Sequence, residues 1–168
     1  MSRLRKSGEV SAHAATTPER IWAIVADVTR VGEWSHECRS AAWIDGATTA
    51  AVRARFVGGN SQRGLRWRRV NEIEELVAPR RITWRTIPTL LYPDSTRWSI
   101  ELQPAGDGGT TIVQRYEVLR IPAFLDWLYS IILPAHRDRT EALTADLQRL
   151  AAVATNSTHH ATNTVTNS

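Results

Sequence analysis

The sequence predicts an α+β domain in which a curved, seven-stranded antiparallel sheet wraps around a long C-terminal helix. Three observations predict it. Short segments between Glu9 and Val118 alternate apolar with polar residues, the period of a strand with one buried face. Turn-forming residues punctuate them, notably Gly46, Gly58-Gly59-Asn60, Pro79 and Gly106-Asp107-Gly108-Gly109. Near the C-terminus the period changes: Ile132, His136, Leu143, Leu147, Leu150 and Ala154 fall on one helical face. A one-sided apolar stripe needs a surface to cover, and the sheet is the only one of matching size.

The elements follow in order. Val10, Ala12 and Ala14 alternate with Ser11 and His13 in a first strand. Thr16 or Thr17 can cap the helix that follows, with Pro18 in its first turn and Glu19 placed for a capping box. Ile21, Trp22, Ile24, Val25 and Val28 make that helix short and apolar, and it ends near Asp27. A second short helical turn is expected from Arg30 to Trp34, capped by Asp27, with Trp34 plugging the end of the sheet. Six strands come next: Cys38–Asp45, Ala51–Val57, Leu65–Glu75, Arg81–Ile87, Thr96–Gln103 and Thr110–Val118. Gly58-Gly59-Asn60 reads as a loop between two of them.

Period-2 alternation turns Phe56, Trp67, Trp84, Trp98, Ile100, Ile112, Gln114 and Tyr116 inward, with Asn71 beside them, toward Leu143 and Leu147 of the helix. Arg66 and Arg68 alternate with Leu65 and Trp67 and fall outside. There Glu72, Glu74, Glu101 and Glu117 can pair across strands with Arg53, Arg55, Arg85 and Arg115. On the long helix Arg137, Asp138, Glu141, Asp146 and Arg149 fall away from the apolar stripe.

Composition narrows the function classes. One lysine stands among 21 basic residues, but 17 acidic residues are interspersed and the net charge is only +4. This argues for a paired outer face, and no nucleic-acid partner is expected. The single Cys38 and five scattered histidines lack ligand spacing, so neither a metal nor a disulfide framework is expected. Phosphate loops, dinucleotide fingerprints and nucleophile elbows are missing, and no cofactor is expected. The first ten residues lack the apolar run of a signal peptide, and the expected compartment is the cytoplasm.

Ile121–Leu133 is apolar on every side, interrupted only by Asp126 and Ser130, and is too short to span a bilayer. Pro134 separates it from the stripe that follows. Phe124, Trp127, Leu128, Ile131 and Ile132 encircle its axis, so some must stay exposed, and a transient membrane or subunit contact through residues 121–133 is expected. One domain is expected over residues 9–154, with a flexible arm at residues 1–8 and a disordered, Thr/Asn/Ser/His-rich tail at 155–168.

Five stretches together resemble the START-like superfamily, also called SRPBCC or Bet v 1-like, and within it the polyketide cyclase/dehydrase group. They are Thr17-Pro18-Glu19-Arg20-Ile21-Trp22; Asp27-Val28 followed by Glu33-Trp34-Ser35; Pro79-Arg80-Arg81-Ile82-Thr83-Trp84; Gly108-Gly109-Thr110; and the amphipathic C-terminal helix. The resemblance implies a helix-grip fold enclosing an apolar cavity. It further implies binding of an apolar small molecule such as a lipid or polyketide. The expected ligand-binding residues are then Phe56, Trp67, Trp84, Trp98, Ile100, Ile112, Gln114, Tyr116, Trp127, His136, Leu143 and Leu147. The alternative is a cyclase or dehydratase in which His136 and Tyr116 serve as acid and base. The plainer readings are a filled core and a hydrogen-bonded core histidine. His36 is expected in a loop, in contact with solvent.

Overall fold

The computed structural model describes residues 4–132 and 138–162. The chain runs β1 (Ser7–Ala14), α1 (Pro18–Val25), a 3-10 turn (Val28–Glu33), β2 (Cys38–Ile44), β3 (Arg55–Gln62), β4 (Leu65–Val77), β5 (Arg81–Thr86), β6 (Ser95–Pro104), β7 (Thr110–Arg120), α2 (Ala123–Ile132) and α3 (Thr140–Thr162). The seven strands form one sheet in the order β1-β7-β6-β5-β4-β3-β2, and all its pairings are antiparallel. The α+β helix-grip architecture read from the sequence is therefore the one observed, with both short helical elements after β1.

Several local expectations are corrected. Gly58-Gly59-Asn60 lies inside β3, opposite Ala41, Ser40 and Cys38 of β2. A side chain at Gly59 would stand 2.8 Å from the Ser40 hydroxyl oxygen, so the glycines mark close strand packing. Ala51–Ala54 closes a tight turn instead of starting a strand, and Arg53 occupies it at φ 71°. Thr17 is the N-cap of α1 without a capping side-chain bond, whereas Asp27 does accept from the Thr29 amide at 3.1 Å.

The ends also differ. β1 starts at Ser7, and Leu4 is buried, inside the segment expected to be a loose arm. Asp126 of α2 accepts from the Leu4 amide and pairs with Lys6 at 2.8 Å. α3 runs to Thr162, past the boundary drawn at Ala154 on composition. Ala154 is buried and Asn156 exposed. His136 and Pro134 lie outside the described residues.

α3 packs chiefly on β1, makes small contacts with α1 and the 3-10 turn, and only touches β7. It therefore covers one side of the sheet's concave face. Ile21, Ile24, Ile73, Ile82, Ile100, Leu102, Ile112, Leu147 and Leu150 form the packed part of the core. β3, β4 and β5 receive no comparable cover from α3. Space opens over their inner faces.

The outer face carries a charge ladder. Arg55 pairs with Glu72, Arg85 with Glu72 and Glu74, Arg97 with Glu74 and Glu117, and Arg115 with Glu101 and Glu9. The pairing neutralises most of the arginine-rich face locally, although each exposed pair is worth little alone.

Candidate functional site: an internal cavity

The open part of the concave face holds a cavity of about 420 Å³, within the range of small-molecule sites. Register builds its wall. Trp84 lies opposite Trp98, and Trp98 opposite Tyr116, so three aromatic residues run side by side across β5, β6 and β7. The Trp98 and Tyr116 rings lie 5.6 Å apart. The next inner row sets Phe56 opposite Asn71 and Asn71 opposite Thr86.

Of the residues expected to touch a ligand, Phe56, Trp67, Trp84, Trp98, Gln114 and Leu143 line the cavity, with Asn71. Ile100, Ile112 and Leu147 are almost fully buried in the packed core and lie outside the lining. Tyr116 lies behind it too. Its ring fills the space left by Gly8, where a side chain would come within 2.6 Å of the ring, and the Arg139 guanidinium stacks over Trp98 and Tyr116, 5.5 Å from each centroid. Burial raises the Tyr116 hydroxyl pKa. Trp127 points away from the cavity and is 59% exposed, whereas Tyr129 on the same helix lines it.

Two polar groups on the wall escape the sequence pattern. The first is Arg69, whose guanidinium pairs with Asp94 at 2.8 Å, donates to the Asp94 carbonyl at 2.9 Å and stacks on Tyr92 at 5.3 Å. Tyr129 completes the group, its hydroxyl pKa pushed up to about 12 by burial and, secondarily, by the Asp94 carboxylate. The sequence did hold a signal: if Trp67 and Asn71 face inward on β4, Arg69 between them must as well.

The second is a His36–Asp146 pair. His36 Nδ1 lies 2.7 Å from one carboxylate oxygen of Asp146, and the His36 amide donates to the other at 2.9 Å. Asp146, expected to face away from the sheet, is 2% exposed. It stands three residues after Leu143 and four before Leu150, so it borders the apolar stripe, and helical spacing alone could have placed it there. Arg149 also bonds Asp146 and donates to the Trp34 carbonyl at 3.0 Å. Trp34 is buried and lines the cavity; its indole N–H is buried and has no partner among the described residues. The Gln114 carbonyl oxygen is in the same condition. Among the described residues no cluster of three His, Cys, Asp or Glu side chains could hold a metal ion.

A curved sheet gripping a helix over an apolar cavity defines a class of ligand-binding folds. Residues 5–155 match the family described as polyketide cyclase/dehydrase and lipid transport, and the chain belongs to that family. Solved structures share the fold. The protein TTHA0849 from Thermus thermophilus superposes with a TM-score of 0.68 at 18% identity, covering 90% of this chain and 98% of that one. Ginseng major latex-like protein 151 from Panax ginseng gives 0.61 at 12% identity, covering 88% and 97%. A polyketide-cyclase-like protein from Corynebacterium glutamicum gives 0.58 at 21% identity, covering 92% and 94%. No curated protein matches the chain.

Proposed function

We propose that this protein binds an apolar small molecule, of the lipid or polyketide type, inside the cavity. The observation that supports this most is the lining: Phe56, Trp67, Trp84 and Trp98 face a space of about 420 Å³ that the packed core leaves open. Burying one such side chain's worth of apolar ligand surface is worth roughly 1.5–3 kcal/mol, so a ligand touching several would bind firmly. Trp34 and Gln114 supply a donor and an acceptor without partners among the described residues, which a ligand carbonyl and a ligand hydroxyl could satisfy. We place the protein in the cytoplasm. No described helix is long and apolar enough to cross a membrane.

Entry requires an opening, and α2 is our candidate. Tyr129 faces the cavity while Phe124, Trp127 and Ile131 are exposed on the same helix. We assign this exposed face to transient contact with a membrane or a second subunit during ligand exchange. Native mass spectrometry of purified protein beside its denatured mass tests the binding reading. A co-purifying apolar mass that disappears in Trp84→Arg is the expected result. An unliganded mass, with no uptake of fatty acids or aromatic polyketides offered in excess, overturns it. A second reading, an enzyme of cyclase or dehydratase type, is favoured by the histidine–carboxylate pair on the cavity wall.

A further inference from the structure

The wall formed by residues 34–38 and Asp146 differs chemically from the aromatic floor. Asp146 is nearly inaccessible, yet its carboxylate is fully engaged: two bonds from His36 and one from Arg149. With Nδ1–H donating to that carboxylate, the free nitrogen of the neutral ring is Nε2, an acceptor. Among the described residues the nearest carboxylate oxygen to Nε2 is that of Glu37, at 4.0 Å, beyond hydrogen-bond reach. His36, Glu37 and Asp146 all line the cavity.

A purely structural pair would staple the loop after the 3-10 turn to α3. The His36 amide already does that by itself, since it bonds Asp146 without the ring. The ring adds an oriented, part-exposed base. Two neighbours complete the picture. Trp34 brings a buried N–H without a partner among the described residues to the same cavity. The Cys38 thiol pKa is pushed up to about 11 by burial, so it stays neutral and leaves the proton traffic to the imidazole.

We propose that His36 is a catalytic general base and acid for proton transfer at the carbon beside a carbonyl in an apolar ketone, with Asp146 as its positioning residue; this rests on the ligand-binding reading above. His36 Nε2 takes the α-proton. The C–H electron pair becomes the carbon–carbon double bond of an enolate, and the carbonyl π pair moves to oxygen, where the Trp34 N–H donates to it. In a ketone that already carries a β,γ double bond the enolate is a dienolate, and the imidazolium, held by the Asp146 carboxylate, returns the proton to its γ-carbon as the β,γ double bond moves to the α,β position. The double bond shifts, no electrons are gained or lost, and the net reaction is isomerisation.

The test uses 5-nitrobenzisoxazole, an apolar probe that a placed base opens by removing one carbon-bound proton as its N–O bond breaks to a coloured phenolate. Displacement of the dye 1-anilinonaphthalene-8-sulfonate reports whether the probe enters the cavity. Wild-type protein should give a rate that rises with pH through one ionisation and is abolished by saturating dye. His36→Asn keeps a donor where Nδ1 stood, so it should keep the fold and the dye affinity while losing about a hundredfold in rate. Asp146→Asn should lower the rate at least tenfold and move the midpoint of its pH rise, which a mere staple would not do. Probe binding without a dye-sensitive rate in the wild type overturns the proton-transfer inference and leaves ligand binding standing. Failure of both dye and probe to bind overturns the binding reading itself. If His36→Asn fails to fold, the dye-blocked rate of the wild type still decides between a base inside the cavity and one on the surface.

Discussion

At the scale of single residues, the inner face is more polar than its sequence pattern suggests, and its buried charges are paired. Arg69 and Asp94 are both largely buried and hold each other. Arg69→Ala leaves the carboxylate buried without its counter-charge, and we expect a loss of about 3 kcal/mol, read from urea melts. Arg69→Met together with Asp94→Leu should recover most of that loss. If the single substitution is silent, the pair contributes nothing to the fold. Tyr129 adds a pH dependence. Its hydroxyl binds its proton more tightly in the folded chain, at about 12, than at the ordinary value of 10.0. Stability is therefore full below pH 10 and declines as the pH rises toward 12. Tyr129→Phe should flatten that decline, and melts at pH 9 and 11 would show it.

The residue scale is also where sequence reading loses most. Trp84, Trp98 and Gln114 are legible because strand alternation fixes the face of every residue once one is known. Arg69 and Asp146 obey the same kind of periodicity but carry charge, and a charge in a sequence pattern reads as solvent-facing. The structure reverses that inference by supplying each with a partner from elsewhere in the chain: Asp94 lies 25 residues from Arg69, beyond β5, and His36 lies 110 residues from Asp146. No local pattern encodes such a pairing.

At the scale of elements, α2 and the N-terminal segment form one unit. Lys6 accepts from Val118 through its carbonyl and reaches Asp126 through its amine, while Leu4 is buried beside them. Asp126→Ala should therefore raise amide hydrogen exchange in both the first strand's leader and α2, while β4 and β5 stay protected. Trp127→Ser removes exposed apolar surface, so we expect slower ligand exchange or weaker binding to phospholipid vesicles with less than about 1 kcal/mol of lost stability. A loss of several kcal/mol with unchanged exchange would make this helix core. At the other end of the chain, removal of residues 156–168 should leave the melting temperature unchanged, because Ala154 is buried whereas Asn156 is already exposed. A clear drop would show that the far end of α3 packs.

At the scale of the whole molecule, the architecture is legible because three separate signals agree: strand alternation, turn residues and one change of period. The cavity is not legible by the same route. It exists because the packing of α3, chiefly on β1, leaves part of the inner face of β3–β5 open, and a pattern of apolar residues reads the same over a void as over a packed core. The charge ladder outside has its own consequence. Within it the Arg55 guanidinium, bonded to Glu72, holds that carboxyl below its ordinary value. That contribution is present above the ordinary carboxylate value of 4.5 and is lost as the pH falls below it. Stability in low salt should fall from pH 5 to pH 3, and 1 M salt should blunt the effect.

The order of strands carries a message about time as well as space. Strands β2 to β7 each pair with the next along the chain, so they can zip together hairpin by hairpin with little loop-closure entropy. β1 is the exception: it pairs only with β7, Ser7 opposite Glu117 and Ala14 opposite Thr110, about a hundred residues away. The chain's first strand is thus expected to be the last to arrive, docking together with the helix that rests on it. Val10→Ala in β1 should speed unfolding and leave the folding rate nearly untouched, whereas Ile82→Val in β5 should slow folding. Stopped-flow chevrons of the two variants would reveal the sequence of events, and a folding rate that drops in step with stability for Val10→Ala would show that the two ends of the chain meet first.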